Sequence, residues 1–158
     1  MADGAIIAVG VDDTVSSRRA LAWAAREAVR RGAQLEVITA WTWDAVEGAP
    51  LASADPQTVL AVADRIQRDA VLEVLGAMEV TPSVSRRVVQ STAAEALVDA
   101  SRHADLVVVG THGRGPVRSF LLGSVSMSVI KHASCPVVVM PPTGADGPAK
   151  EPLTACGW

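Results

Sequence analysis

Apolar positions along the chain follow two periods. Short, nearly unbroken runs occur at Ala5–Val11 (AIIAVGV), Gln34–Ala40, Val84–Val89, Leu106–Gly110 (LVVVG) and Pro136–Met140. Their β-branched content and lack of polar alternation predict strands covered on both faces. Between them the apolar residues recur every three to four positions. The first helix carries Ala20, Leu21, Ala24, Ala25, Ala28 and Val29 on one face and Arg19, Arg26 and Arg30 on the other. Thr14, Ser16 or Ser17 opens it and Gly32 closes it. Asp55 as N-cap and Pro56 at the first helical position open a second helix, whose inner stripe reads Val59, Val62, Ile66, Ala70, Val74 and Met78. Thr92-Ala93-Ala94-Glu95 is a capping box ahead of a third helix with Ala96, Leu97 and Ala100 facing inward. A short fourth helix is expected over Ser124–His132.

Strands separated by helices imply right-handed crossovers, a parallel sheet and helices on both faces. The expected fold is therefore a three-layer α/β/α domain, Rossmann-like, with five parallel strands. In the order 3-2-1-4-5 the sheet reverses direction between strands 1 and 4, and open sheets of this kind bind ligands there, at the carboxyl ends of the strands. The segments after Val11 and after Val109 would then meet in one crevice. Residues 1–141 are read as one domain and residues 142–158, rich in Gly and Pro, as a disordered tail. The Gly- and Pro-rich stretch from Trp41 to Asp55 is read as a mobile loop, and no internal repeat is visible.

Composition narrows the function classes. A chain of 158 residues that is 49% hydrophobic buries roughly 68–70% of its unfolded surface and needs no disulfide or metal to hold a core. Fourteen Lys and Arg against 17 Asp and Glu give a net charge of −3, which argues against a nucleic-acid partner. Cys135 and Cys156 form no metal-ligand pattern, and Cys135 is expected to be a buried strand residue. The first residues carry no basic leader and the first apolar run is too short for a membrane span, so a cytoplasmic protein is expected.

Candidate chemistry lies after strand 4. Gly110-Thr111-His112-Gly113 is followed by nine residues and then by Gly123-Ser124 and a helix. Gly110 lets the chain turn, Gly113 lets backbone approach an anion, and Gly123-Ser124 exposes free helical N–H groups to negative charge. Ser124 is both the expected N-cap and a hydroxyl donor to phosphate. Arg114 and Arg118 are either charge-assisted donors to a polyphosphate or solvated loop residues. Across the crevice, Asp12 would accept from a ribose hydroxyl or a base amine, or cap the first helix.

The segment GTHGRGPVRSFLLGSVSMSVIKHASCPVVVMP resembles the nucleotide-binding signature of the universal stress protein family: Gly, two residues, Gly, nine residues, Gly, then Ser or Thr. VGVDDT and VITAW are similar to that family's first strand with its Asp and to the end of its second strand, and the resemblance covers residues 5 to 141. It implies ATP binding, with Mg²⁺, by Asp12, the Ala40 backbone, Gly110, Gly113, Arg114, Gly123, Ser124 and Val125. It also implies a homodimer built through strand 5, at Val137, Val138 and Val139. Asp13 departs from the pattern, since many members carry Gly there, and an added carboxylate would either repel a triphosphate or help hold Mg²⁺.

The favoured expectation is a nucleotide-dependent regulatory protein of the stress response. It has no catalytic residue and no metal-ligand cluster, and it acts on a protein partner the sequence does not name. The alternatives are a slow ATPase and a nucleotide-free interaction module on the same fold. No Gly-Lys-Ser/Thr phosphate loop and no G-x-S-x-G elbow is present. His112 has no partner carboxylate in sequence and reads as a surface loop residue. Trp41 and Trp43 either line an adenine pocket or cover the sheet end. His103 and His132 sit where a cation offsets a helix dipole.

Overall fold

The computed structural model describes residues 4–42, 55–111 and 122–141. In chain order the elements are β1 (Ile6–Gly10), α1 (Val15–Arg31), β2 (Gln34–Trp41), α2 (Pro56–Gly76), β3 (Val84–Gln90), α3 (Ala93–Ala100), β4 (Leu106–Gly110), α4 (Ser124–His132) and β5 (Val137–Met140). The five strands form one sheet in the order β3-β2-β1-β4-β5, and every pairing is parallel. The doubly wound α/β reading is the fold observed.

Strand side chains alternate between the faces, and the core divides accordingly. Ile7, Val9, Leu35, Val37, Leu106 and Val108 pack with the alanine face of α1 and with Ala70 and Val71 of α2. Ala8, Ile38, Val107 and Val109 pack with Ala96, Leu97 and Ala100 of α3 and Val129 of α4. Alanines dominate the underside of α1 and bring its axis close to the sheet.

Local signals set the helix ends. Thr14 caps α1, its side chain accepting from the Ser17 N–H, and Gly32 closes the helix at φ 63°. Asp55 accepts from the Thr58 N–H to cap α2. The Thr92–Glu95 box caps α3 in both directions.

Four expectations are corrected. The buried line of α2 is Ala63, Gln67, Ala70 and Val71, so the helix is rotated from the all-apolar stripe, with Val59, Val62, Ile66, Val74 and Met78 half-buried. Gln67 is fully buried because its amide donates to the Val37 carbonyl at 3.0 Å and the Arg87 carbonyl at 2.8 Å. Trp41 continues β2, since the Ser91 N–H bonds its carbonyl at 3.0 Å and extends the pairing with β3. Cys135 is half-buried and precedes β5, which starts at Val137 because Pro136 has no N–H to give the ladder. Burial raises its thiol pKa above the ordinary value, with the Asp105 carboxylate adding to the effect.

Candidate functional site

The sheet opens where β1 ends between β2 and β4. The Val11 N–H makes the last rung toward β2, to the Ile38 carbonyl at 2.9 Å, and the chain then turns into α1. Asp12 organises that turn. Its Oδ1 accepts from the Thr14 N–H at 2.8 Å and from the Thr14 hydroxyl, and its carbonyl accepts from the Ser17 hydroxyl at 3.0 Å. The N-cap is therefore Thr14, and Asp12 acts one step behind it, orienting the cap while lining the crevice.

Among the described residues β2 continues beyond this point with no strand partner on its β1 side. Peptide groups of successive strand residues point to opposite neighbours. The Ile38 carbonyl faces β1, where it meets Val11, and the Trp41 carbonyl faces β3, where it meets Ser91. The Ala40 N–H and C=O thus face the β1 side, past the last rung of that ladder. A neighbouring donor and acceptor in one plane are what the edge of a purine base requires.

The opposite wall comes from β4 and α4. The Thr111 N–H donates to the Met140 carbonyl at 3.1 Å, and the Thr111 carbonyl accepts from the Gly123 N–H at 2.7 Å. These bonds pin the start of α4 to the end of β4. Here the expectation for Ser124 is corrected: Gly123 is the N-cap and Ser124 the first helical residue, exposed, with no side-chain capping bond. The Gly123 peptide is already anchored at Thr111, so the helix begins one residue early. Among the described helices, α4 alone lacks a side-chain cap, and its first turn has no acidic residue. Its open N–H groups and positive dipole end favour an anion. The facing helix, α3, has its N-terminus satisfied by Glu95, whose pKa is lowered first by the Thr92 hydroxyl bond and then by the Thr92 N–H.

Asp12, Ala40, Gly110 and Val125 line one cleft of about 100 Å³ at the carboxyl ends of β1, β2 and β4. Gly123 and Ser124 stand at the start of the helix that carries Val125. Gly113 and Arg114 lie outside the described residues, as do His112, Arg118 and Trp43. Trp41 is not part of the cleft lining. His103 instead pairs with the buried Glu36 at 2.7 Å, and His132 bonds the Ser128 carbonyl at the end of α4. Among the described residues no cluster of three or more His, Cys, Asp or Glu could hold a metal ion.

Residue-by-residue reading of the sequence missed the apolar floor, formed by Gly10, Ile38, Ala93, Leu97 and Val109. One signal was present: a glycine interrupting the branched run of β1. Its partner Leu97 lies far away in sequence and carries no local mark.

A family model described as the universal stress protein family matches residues 5–141. Universal stress protein Rv2005c of Mycobacterium tuberculosis is 39% identical over 138 residues, which cover 84% of this chain and 44% of that protein. The chain thus spans less than half the length of that relative. Universal stress protein UspA from Lactobacillus plantarum superposes with TM-score 0.71 at 23% identity, over 89% of this chain and 99% of that one, a likeness of fold. A universal stress protein crystallised in complex with cAMP superposes with TM-score 0.65 at 26% identity, over 87% of this chain and 97% of that one.

Proposed function

The chain belongs to the universal stress protein family, and from that premise we propose that it is a regulatory protein that binds an adenine nucleotide, ATP with Mg²⁺, and acts as a homodimer in the cytoplasm. The observation that carries the reading is the Ala40 peptide pair, whose N–H and C=O face the cleft beyond the end of β1. A donor beside an acceptor complements N1 and the N6 amine of adenine, while guanine presents the reverse pattern. The cAMP complex of a structural neighbour supports an adenine ligand.

Asp12, which lines the same cleft, would accept from a ribose hydroxyl with the oxygen that Thr14 does not hold. The uncapped start of α4, at Gly123, Ser124 and Val125, would hold phosphate, with Gly113 and Arg114 completing the loop. Among the described residues the cleft lining contributes one titratable side chain, Asp12, whose Oδ1 is already committed to the turn. Nucleotide binding is the reading put forward, with slow hydrolysis as the alternative.

A bound phosphate has a direct route to the dimer edge. One residue, Thr111, bonds both ways: its carbonyl accepts from Gly123 at the start of α4 and its N–H donates to Met140 at the end of β5. A nucleotide that tightens α4 biases β5, and by linkage dimerisation tightens nucleotide binding by the same factor.

The test is to denature freshly purified protein, identify released nucleotide by mass spectrometry, and titrate the emptied protein with AMP, ADP, ATP and GMP. Adenine nucleotide near one per chain, with GMP binding far weaker, is the expected result. A protein that carries and binds none would leave the interaction-module reading.

A further inference from the structure

We propose that Gly10 and Leu97 act as one unit that sets the depth of the base-binding end of the cleft. This rests on the nucleotide reading and adds the residues that decide how far a flat ring can enter. Gly10 is the last residue of β1, and both it and Leu97 of α3 line the cleft.

Gly10 does not serve backbone conformation, since Gly32 is the one described glycine with positive φ. Its missing side chain is a matter of space. A Cβ at position 10 would fall 2.9 Å from Leu97 Cδ1 and 3.4 Å from Cδ2, so the leucine methyls occupy the room that a side chain would need. Interior packing is as dense as an organic crystal, and a displaced methyl moves only where a void adjoins it. Leu97 is 3% exposed and packs within the cluster that contains Ala8, Val107 and Val129, each at 0%. The void that adjoins it is the cleft. A methyl at position 10 therefore turns Leu97 into the slot beside Ala40, and truncation of Leu97 reopens that slot.

The experiment measures AMP affinity by calorimetry and stability by urea unfolding for wild type, Gly10→Ala, Leu97→Ala and the double variant. Gly10→Ala is expected to weaken AMP binding about tenfold, on the scale of a small apolar misfit in a well-packed site. Adding Leu97→Ala should restore most of that affinity while lowering stability further. The opposite signs separate a depth-setting pair from a merely structural contact, under which the double variant is worse in both respects. AMP binding by Gly10→Ala equal to wild type, or a double variant weaker than Gly10→Ala, overturns the proposal and leaves the nucleotide reading standing. Wild type that binds no AMP overturns both.

Discussion

Gly110 and Ser16 meet across the top of the sheet so closely that a Cβ at 110 would collide with the Ser16 hydroxyl and lie 3.1 Å from the Ser16 carbonyl carbon. The glycine that reads in sequence as a turn residue lets the first turn of α1 rest on the end of β4. Gly110→Ala must lift that turn, and overpacking of this kind costs about 1–3 kcal/mol. Because Gly110 and Asp12 line the same cleft, AMP affinity should fall together with the urea midpoint. A variant as stable as wild type would show that α1 yields without cost.

Among the described residues the Ser16 hydroxyl has no hydrogen-bond partner, and its oxygen is buried. An unsatisfied buried hydroxyl carries a desolvation cost, so removing it is neutral or favourable. Ser16→Ala should therefore leave stability unchanged or raise it by up to about 1 kcal/mol, and it should recover part of the loss in a Gly110→Ala background. A clear drop in the urea midpoint would mean that the hydroxyl has a partner in solution.

Gln67 ties β2 to β3 from beneath, with its amide on the carbonyls of Val37 and Arg87 and its Oε1 accepting from Arg86 Nε at 3.1 Å. Gln67→Met fills similar volume but strands the Arg86 donor and two carbonyl contacts, for an expected loss of about 1–3 kcal/mol. The side chain is not part of the cleft lining, so AMP affinity should hold while the unfolding midpoint falls. Loss of affinity equal to the loss of stability would contradict that separation.

Glu95 is hydrogen-bonded by the Thr92 hydroxyl, the Thr92 N–H and the Ser91 hydroxyl, and these bonds lower its pKa from 4.5. Asp55 is lowered from 3.8 by the Thr58 N–H and hydroxyl. A depressed folded-state pKa means that the capping contribution is fully present above the unfolded value and is lost as pH falls through the folded one. Both helix starts should loosen on acidification below those ordinary values. Carboxyl NMR should place the Glu95 midpoint under 4.5, and Thr92→Ala should move it upward; a midpoint at or above 4.5 in wild type would refute the box as its cause.

Strands and helix starts were legible because their causes are local. The branched runs, the Thr92–Glu95 box, the Asp55-Pro56 opening and the Gly32 stop each act within a few residues. Distant causes were hidden. Gln67 is buried because strand carbonyls lie beneath it, and no periodicity of residue type reveals a polar residue that satisfies itself in a core. Gly110 answers to Ser16 and Gly10 to Leu97, pairs that the crossover topology brings together from separate elements. The Gly123 cap turned on the Thr111 bond, which likewise spans the loop between them. Cleft walls at the two loops could be named from the motif, whereas its floor depended on packing.

The two edges of the sheet differ in a way that predicts the dimer. Edge strand β3 carries Arg86 and Arg87, ion-paired with Asp64 at 2.6 Å and Glu36 at 3.0 Å, and such charges discourage strand addition. Edge strand β5 is Val137, Val138, Val139 and Met140, all half-buried, and the neighbouring α4 exposes Met127 and Ile130. An uncharged apolar edge is the one suited to a second copy of the chain. Wild type should sediment as a dimer and Val138→Lys as a monomer. Val138 also packs against the α1 face of the core, so Ile130→Lys, at a position 44% exposed, serves as the variant that weakens association while sparing the fold. Through Thr111, saturating AMP should lower the dimer dissociation constant of wild type, by about 5- to 150-fold if the coupling has the usual size. Sedimentation of wild type as a monomer at every concentration, with and without nucleotide, would remove β5 as an interface.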